Sequence, residues 1–324
     1  MFTRFLSAAI ALALCPVTGT LAQDYPNRPV ILTIPFAAGG PTDTLGRILG
    51  QIMSNTLKQQ VIIENVAGAG GTISYAKVAK SKPDGYTVLL AHIGMSTAPA
   101  LYRKPAVNPL TDYEYIGQVA DVPMTLIAKK DLPPDNFKEF FAYFKANSKK
   151  MTYGNAGLGA ASHLCGLLFL SAVKIDVQTV SYKGTAPAMA DIMGGHIDFM
   201  CDQTTNTTAQ IKSGAVKVYA VTSRKGVPSL PGVPTLHDAG LKNFEVVVWH
   251  GLYVPKGTPK PVVDKLVSAL QAAVKDPTFK TKLADLGAEP VPVAKATPDA
   301  LQKHLKAEIE KWGPVIKAAG VYAD

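Results

Sequence analysis

Apolar and polar positions along this chain follow two periods, and the period switches again and again. Val30-Ile31-Leu32-Thr33-Ile34 is a continuous, β-branched apolar run and predicts a buried strand. Thr42 to Leu57 then places Leu45, Ile48, Leu49, Ile52 and Met53 at helical spacing. Val61 to Ile63 predicts a strand, Ile73 to Ala79 a short helix and Tyr86 to Leu90 a strand. Near-continuous apolar strands alternating with helices predict an α/β fold, each unit a mostly parallel sheet flanked by helices.

The same grammar restarts after Val122. Strands are expected at Met124–Ala128, Met151–Tyr153, Val177–Ser181, Ile197–Met200 and Val216–Val221. Between them lie helical patterns at Phe137–Ala146, Ser162–Val173, Thr185–Met193 and Thr204–Ser213. Gly194-Gly195 stops the third of these. The tail differs: a strand-like run from Phe244 to Val254 precedes helices opened by Pro259, Asp276-Pro277 and Thr297-Pro298-Asp299. No floppy linker and no solenoid repeat intervenes. Two domains are expected, 23–121 plus 223–324 and 122–222, hinged near Gly117–Thr125 and Tyr219–Arg224.

The N-terminus reads as a removable leader rather than as fold. Arg4 precedes an apolar stretch from Phe5 to Val17, and Thr20-Leu21-Ala22 offers small residues for cleavage after Ala22. Residues 1–22 are therefore expected to be a signal peptide, and the remainder an exported protein. Cleavage would remove Arg4 and lower the formal net charge of +9 by one. A moderately basic surface suits anionic ligands or solubility. Nucleic acid is a poor fit, because the lysines are scattered and no zinc-finger or RNA-binding motif is present. Cys165 and Cys201 remain after cleavage. An oxidising compartment allows a disulfide, but two buried free thiols are the favoured expectation.

Candidate chemistry sits in loops at strand ends. Pro35 to Asp43 follows the first strand and enters the first long helix. Gly39 and Gly40 let a ligand approach the backbone, and Pro41 suits the first helical position. With Phe36, Ala38 and Asp43 this forms a ready anion site at a helix N-terminus. A second such loop runs from Gly154 through Asn155, Ala156, Gly157 and Gly159 to Ser162. Its glycine spacing resembles a dinucleotide fingerprint, but the final glycine and the distal acidic residue are missing. Paired, the two loops would clamp a carboxylate from both sides of a cleft. His92, Asp202 and His250 stand near other strand ends. Asp202 could meet a ligand or cap the next helix. His250 could bond a ligand or be structural, and Trp249 reads more readily as core. No G-x-S-x-G, H-E-x-x-H or Cys/His metal spacing occurs. His163 reads as packing or capping, since it cannot face its neighbour Ser162 on a helix.

These stretches together resemble the Bug-type solute-binding receptors of the tripartite tricarboxylate transporter family. The resemblance is carried by Tyr25–Val30, Pro35–Asp43, Asn65–Gly71, Lys82-Pro83-Asp84-Gly85-Tyr86, Gly154–Leu164, Tyr182-Lys183-Gly184, Pro187-Ala188 and Gly194–Asp198. It implies a two-domain periplasmic-binding-protein fold (a type II-like Venus flytrap), with no catalysis and no cofactor. It further implies a carboxylate held by backbone groups and ordered waters between Ala38–Asp43 and Asn155–Ser162. Asp202 gains weight, because that position can face the ligand in the family. The expected partners are the small carboxylate and the transporter's membrane components, and a periplasmic monomer is expected. Two features depart from the family: Leu167 stands where a Glu is common, and Cys165 and Cys201 are unusual, which revives the disulfide.

Phe36, His92, Tyr182, Trp249 and His250 all lie near predicted strand ends. An aromatic carboxylate such as terephthalate would fit them by stacking and hydrogen bonding. The rival readings are a sensory module feeding a signalling receptor, and an enzyme using Asp43, Asp202 and a histidine. The absence of a catalytic constellation favours the receptor.

Overall fold

The computed structural model describes residues 25–318, 320 and 322–323; the expected signal peptide lies outside them. The first unit begins with β1 (Val30–Ile34), α1 (Pro41–Leu57), β2 (Val61–Asn65), α2 (Thr72–Ala79), β3 (Thr87–His92) and α3 (Gly94–Leu101). β4 (Tyr113–Lys129) leads into α4 (Phe137–Asn147), β5 (Thr152–Asn155), α5 (Ala161–Val173), β6 (Gln178–Ser181) and α6 (Thr185–Met193). Then come β7 (Phe199–Gln203), α7 (Thr204–Lys212), β8 (Val216–Val221) and the returning β9 (Val247–Pro255). α8 (Lys260–Lys275), α9 (Pro277–Asp285), β10 (Glu289–Pro290) and α10 (Pro298–Ala318) complete the chain.

The sheets are mixed. β2-β1-β3 and β6-β5-β7 are parallel triplets, as buried β-branched runs predict. Every antiparallel pair involves β4 or β9. The reason is topological: a chain that leaves one domain and returns must cross once in each direction. β4 pairs with β9 through Pro123 and with β7 from Met124 onward, so one strand of 17 residues serves both sheets. Its first half escapes the apolar pattern because Gly117, Gln118, Asp121 and Pro123 interrupt it and two register shifts bend it.

The two crossings are stapled at one point. Thr222 N donates to Met124 O at 2.8 Å, Met124 N donates to the Thr222 hydroxyl at 2.9 Å, and Val246 N donates to Thr222 O at 3.1 Å. Residues 223–245 connect β8 to β9, packing Val227 and Ser229 against Gly287 and tying back to β8. Val221 N donates to Pro234 O, and Leu236 N donates to Val221 O. The chain rejoins the first sheet only through β9.

One apolar core runs continuously through both units. α1 buries Leu45, Leu49, Ile52 and Met53 along one stripe. The second domain packs Phe140, Phe144, Phe169, Phe199, Tyr153 and Tyr219 into one aromatic cluster, with Phe140 stacked on Tyr219 at 4.4 Å. Beside it, Cys165 of α5 and Cys201 of β7 form a buried disulfide, correcting the expectation of two free thiols. Packing of α5 on β7 brings their Cα atoms to 6.1 Å, within bonding range.

Candidate functional site

Four strand-to-helix junctions meet where the domains face each other. The N-termini of α1, α5, α6 and α7 line one small cavity through Pro41 and Thr42, Ala161 and Ser162, Thr185, and Gln203. None of the four has a side-chain cap; their capping residues are Gly40, Ala160, Gly184 and Gln203. Elsewhere α4 and α9 carry side-chain caps, Asn136 and Asp276, while α2, α3 and α8 do not; what sets the four apart is that they converge on one cavity. Uncapped N-termini leave backbone donors and the positive dipole ends free for an anion. The cavity is about 10 Å3, room for one water.

The domains touch around it. Ala37 N donates to Lys183 O at 3.2 Å, and the Thr97 hydroxyl donates to Gly159 O at 3.0 Å. The Tyr102 hydroxyl lies 2.8 Å from Ala69 O and 3.4 Å from Leu158 O. Gly70, at φ +59, lies so close to Leu158 that an added Cβ would overlap its carbonyl oxygen.

Of the expected site residues, Phe36, Pro41, His92, Ala156, Ser162 and Asp202 line the cavity. The others stand around it. Ala38 and Gly39 are exposed. Gly40 caps α1 against Ala186, and the Gly159 carbonyl serves the contact with Thr97. Gly157 approaches Gly70. Asn155 Oδ1 accepts from Gly157 N and from the Ser181 hydroxyl, which fixes the loop. His250 lies behind Thr42, with Nε2 3.4 Å from the Thr42 hydroxyl and Nδ1 unpartnered.

Asp43 turns away from the cavity. Its carboxylate accepts from Gly39 N at 2.9 Å, Arg47 Nε at 2.8 Å and Asn65 Nδ2 at 2.9 Å. Burial alone would raise its pKa; those three donors outweigh burial and hold it below the usual range. Asp43 braces the loop through Gly39 N and Asn65 Nδ2.

Asp202 is fully buried. It accepts from Gln203 N and Asn206 Nδ2, and the Thr185 hydroxyl lies beside it. Burial raises its pKa to about 7 against the lowering effect of these neighbours. His92 is pushed down to about 4 by burial, and His250 lies well below its ordinary value through burial and then the proximity of His92. His92 Nδ1 accepts from Gly94 N, so its proton resides on Nε2. Phe36 stacks on His92 at 4.8 Å, and the His92 edge meets His250 at 5.8 Å.

Thr42, Ala160 and Ala161 line the cavity from within the two expected loops, and Met124, Thr185 and Gln203 line it without having been singled out. Thr185 and Gln203 follow the same rule as the two glycine loops: each begins a helix at the end of a strand. Among the described residues, no three His, Cys, Asp or Glu side chains gather as a metal site.

Larger cavities lie elsewhere, about 580 Å3 beside Leu168 and Trp312 and about 410 Å3 beside Lys280 and Pro292. A cavity of about 350 Å3 lies behind the crossing strands, lined in part by Asp121, Arg224, Glu245 and Glu289. It receives Ala284 and Gly287 from the C-terminal end of α9, where the helix dipole is negative. That cavity disfavours an anion, whereas the four N-termini favour one.

The comparisons with known proteins agree with the cleft. Residues 45–321 match the model described as tripartite tricarboxylate transporter family receptor. The chain belongs to that family. A UPF0065 protein of Agrobacterium vitis is 46% identical, over 99% of this chain and 92% of its own. The structure of the periplasmic binding protein BugD is 54% identical, with a TM-score of 0.90 over 92% of this chain and 99% of that one. MatC of Rhodopseudomonas palustris, solved with bound malate, is 37% identical, with a TM-score of 0.86 over 90% of this chain and 100% of that one. This family member therefore shares the two-domain fold of periplasmic binding proteins.

Proposed function

We propose that the chain is exported to the periplasm, captures a small aliphatic carboxylate between its domains, and delivers it to the membrane components of a tripartite tricarboxylate transporter. The observation that carries this reading is the convergence of four uncapped helix N-termini on one cavity. Each contributes about half a positive charge together with free N–H donors. The malate bound to MatC supports the same ligand class.

An aromatic acid such as terephthalate has less support. Trp249 donates to Glu308 on the α10 side, and the Tyr182 hydroxyl donates to Asp191. Phe36 and His92 do line the cavity, but they stack on each other.

Ligand enters the open form, seats on the α1 N-terminus, and is then reached by the α5, α6 and α7 termini as the domains close. The ligand stabilises closure by its difference in affinity between the two states. A thermal-shift screen of the protein without residues 1–22 tests this, using aliphatic and aromatic mono-, di- and tricarboxylates. A ligand at 100 times its Kd should add about 2.7 kcal/mol of stability. A shift with aliphatic acids only is the expected result. No shift with any carboxylate would sink the receptor reading, and a shift with aromatic acids alone would replace the ligand class.

A further inference from the structure

We propose that Gln203, together with Thr185, forms a specificity subsite for a hydroxyl group on the bound carboxylate, so that this receptor selects hydroxy acids over their unsubstituted counterparts. The proposal rests on the carboxylate-receptor reading above and refines it.

The observation is a pair of unsatisfied polar groups on one wall. Gln203 is 3% exposed and its Oε1 has no hydrogen-bond partner; Thr185 is 5% exposed and its Oγ1 has none. Both line the same cavity, alongside Asp202. Buried polar atoms almost always find partners, and two in one cavity mark a place where a partner arrives from outside. Of the polar neighbours, Asn206 Nδ2 and Gln203 N already donate to Asp202, and Ser162 Oγ already accepts from Ala156 N.

The chemistry of the missing partner follows from the groups present. A primary amide has a donor end and an acceptor end, and either end can be turned toward the cavity. A hydroxyl donates and accepts, so it satisfies Gln203 in both orientations and can do the same for Thr185. A methylene can do neither. A second carboxylate at this point would lie against the buried Asp202 carboxyl, whose oxygens accept from Gln203 N and Asn206 Nδ2. The wall therefore orients the ligand, with its carboxylate toward the helix N-termini and its hydroxyl toward the end of β7. An ammonium group would instead require Asp202 ionised, and burial opposes that ionisation.

The test is calorimetric titration of the protein without residues 1–22 against matched pairs: malate with succinate, and lactate with propionate. Aspartate is the ammonium-bearing control. Hydroxy acids should bind about tenfold or more tightly than their partners, because a site built around a hydroxyl leaves polar groups unpaired when it is missing. Gln203→Leu should erase that ratio, and Thr185→Val should reduce it. The Thr185 variant also keeps the proposal testable if Gln203→Leu does not fold. Equal affinity within each pair, or a Gln203→Leu protein that still discriminates, overturns the subsite and leaves the receptor reading intact. Aspartate binding tenfold more tightly than malate overturns it in favour of an Asp202–ammonium pair. Binding of no carboxylate overturns both readings.

Discussion

The two loops that face each other across the cleft are built alike and held differently. Each follows a parallel strand and enters a helix, and in each a glycine N–H donates to the side chain four residues ahead. Gly39 N meets Asp43 at 2.9 Å, and Gly159 N meets His163 Nδ1 at 3.3 Å. The first loop is thus braced by an anion, itself held by Arg47 and Asn65. The second is braced by a neutral imidazole, whose pKa burial lowers to about 4. Ser162 and Asn155 add to the second brace, and the Cys165–Cys201 disulfide underlies it. One architecture therefore draws on charge in one half and on covalent and neutral polar chemistry in the other. The halves should answer reduction, substitution and acid differently.

The largest effect should come from the disulfide, which spans 36 residues and ties α5 to the strand that carries Asp202. Replacing both Cys165 and Cys201 by Ser should lower stability by about 3–4 kcal/mol. Chemical denaturation with and without reductant measures it. An unchanged midpoint would mean that the second loop owes nothing to the covalent tie.

Next comes the contact between the halves. Gly70→Ala places a Cβ where the Leu158 carbonyl stands, so full closure is blocked. Ligand affinity should fall by about 100-fold, equivalent to about 2.7 kcal/mol of closure lost. Scattering with saturating ligand should show a protein that stays extended. A compact, tightly binding variant would show that the domains close along another path.

Asp43→Ala should cost about 2 kcal/mol, since three donors lose a charged acceptor while Arg47 remains solvated. If Asp43 instead held the ligand, the substitution would spare stability and abolish binding. Melting and titration on the same variant separate the two.

How much of this was legible follows from what each feature depends on. β1, α1 and both glycine loops announce themselves because local apolar runs, glycines and Pro41 determine them. α3 did not, since Gly94, Ser96, Thr97 and Pro99 conceal its apolar stripe. In the site, Phe36, Pro41, Ala156 and Ser162 came from their loops, and Asp202 from its place after a strand. Gln203, Thr185 and Met124 are set by how crossing strands and helices converge, which no local pattern encodes. An acid beside a glycine loop invites a binding role, yet the Asp43 carboxylate is taken up by Gly39, Arg47 and Asn65. The signal for that pairing was present in Arg47, four residues on along the same helix.

The smallest effect is the one that isolates the two braces from everything else. His163 has its folded pKa lowered to about 4, from an ordinary 6.5. Its neutral form is favoured by the fold, so its contribution is complete above about pH 6.5 and is lost as pH falls through that value toward 4. Asp43 also has a lowered pKa, from 3.8, so its contribution survives until pH falls below that value. On acidification the second loop must therefore loosen before the first. Between pH 6.5 and 4, amide exchange at Gly159 should accelerate by up to about tenfold relative to Gly39, the size of one lost hydrogen bond. His163→Asn offers a carbonyl acceptor that does not titrate, and it should flatten that response. If Gly39 loosened first, or if the asparagine variant kept the acid response, the imidazole would not be the brace, and the second loop would owe its shape to Ser162, Asn155 and the disulfide alone.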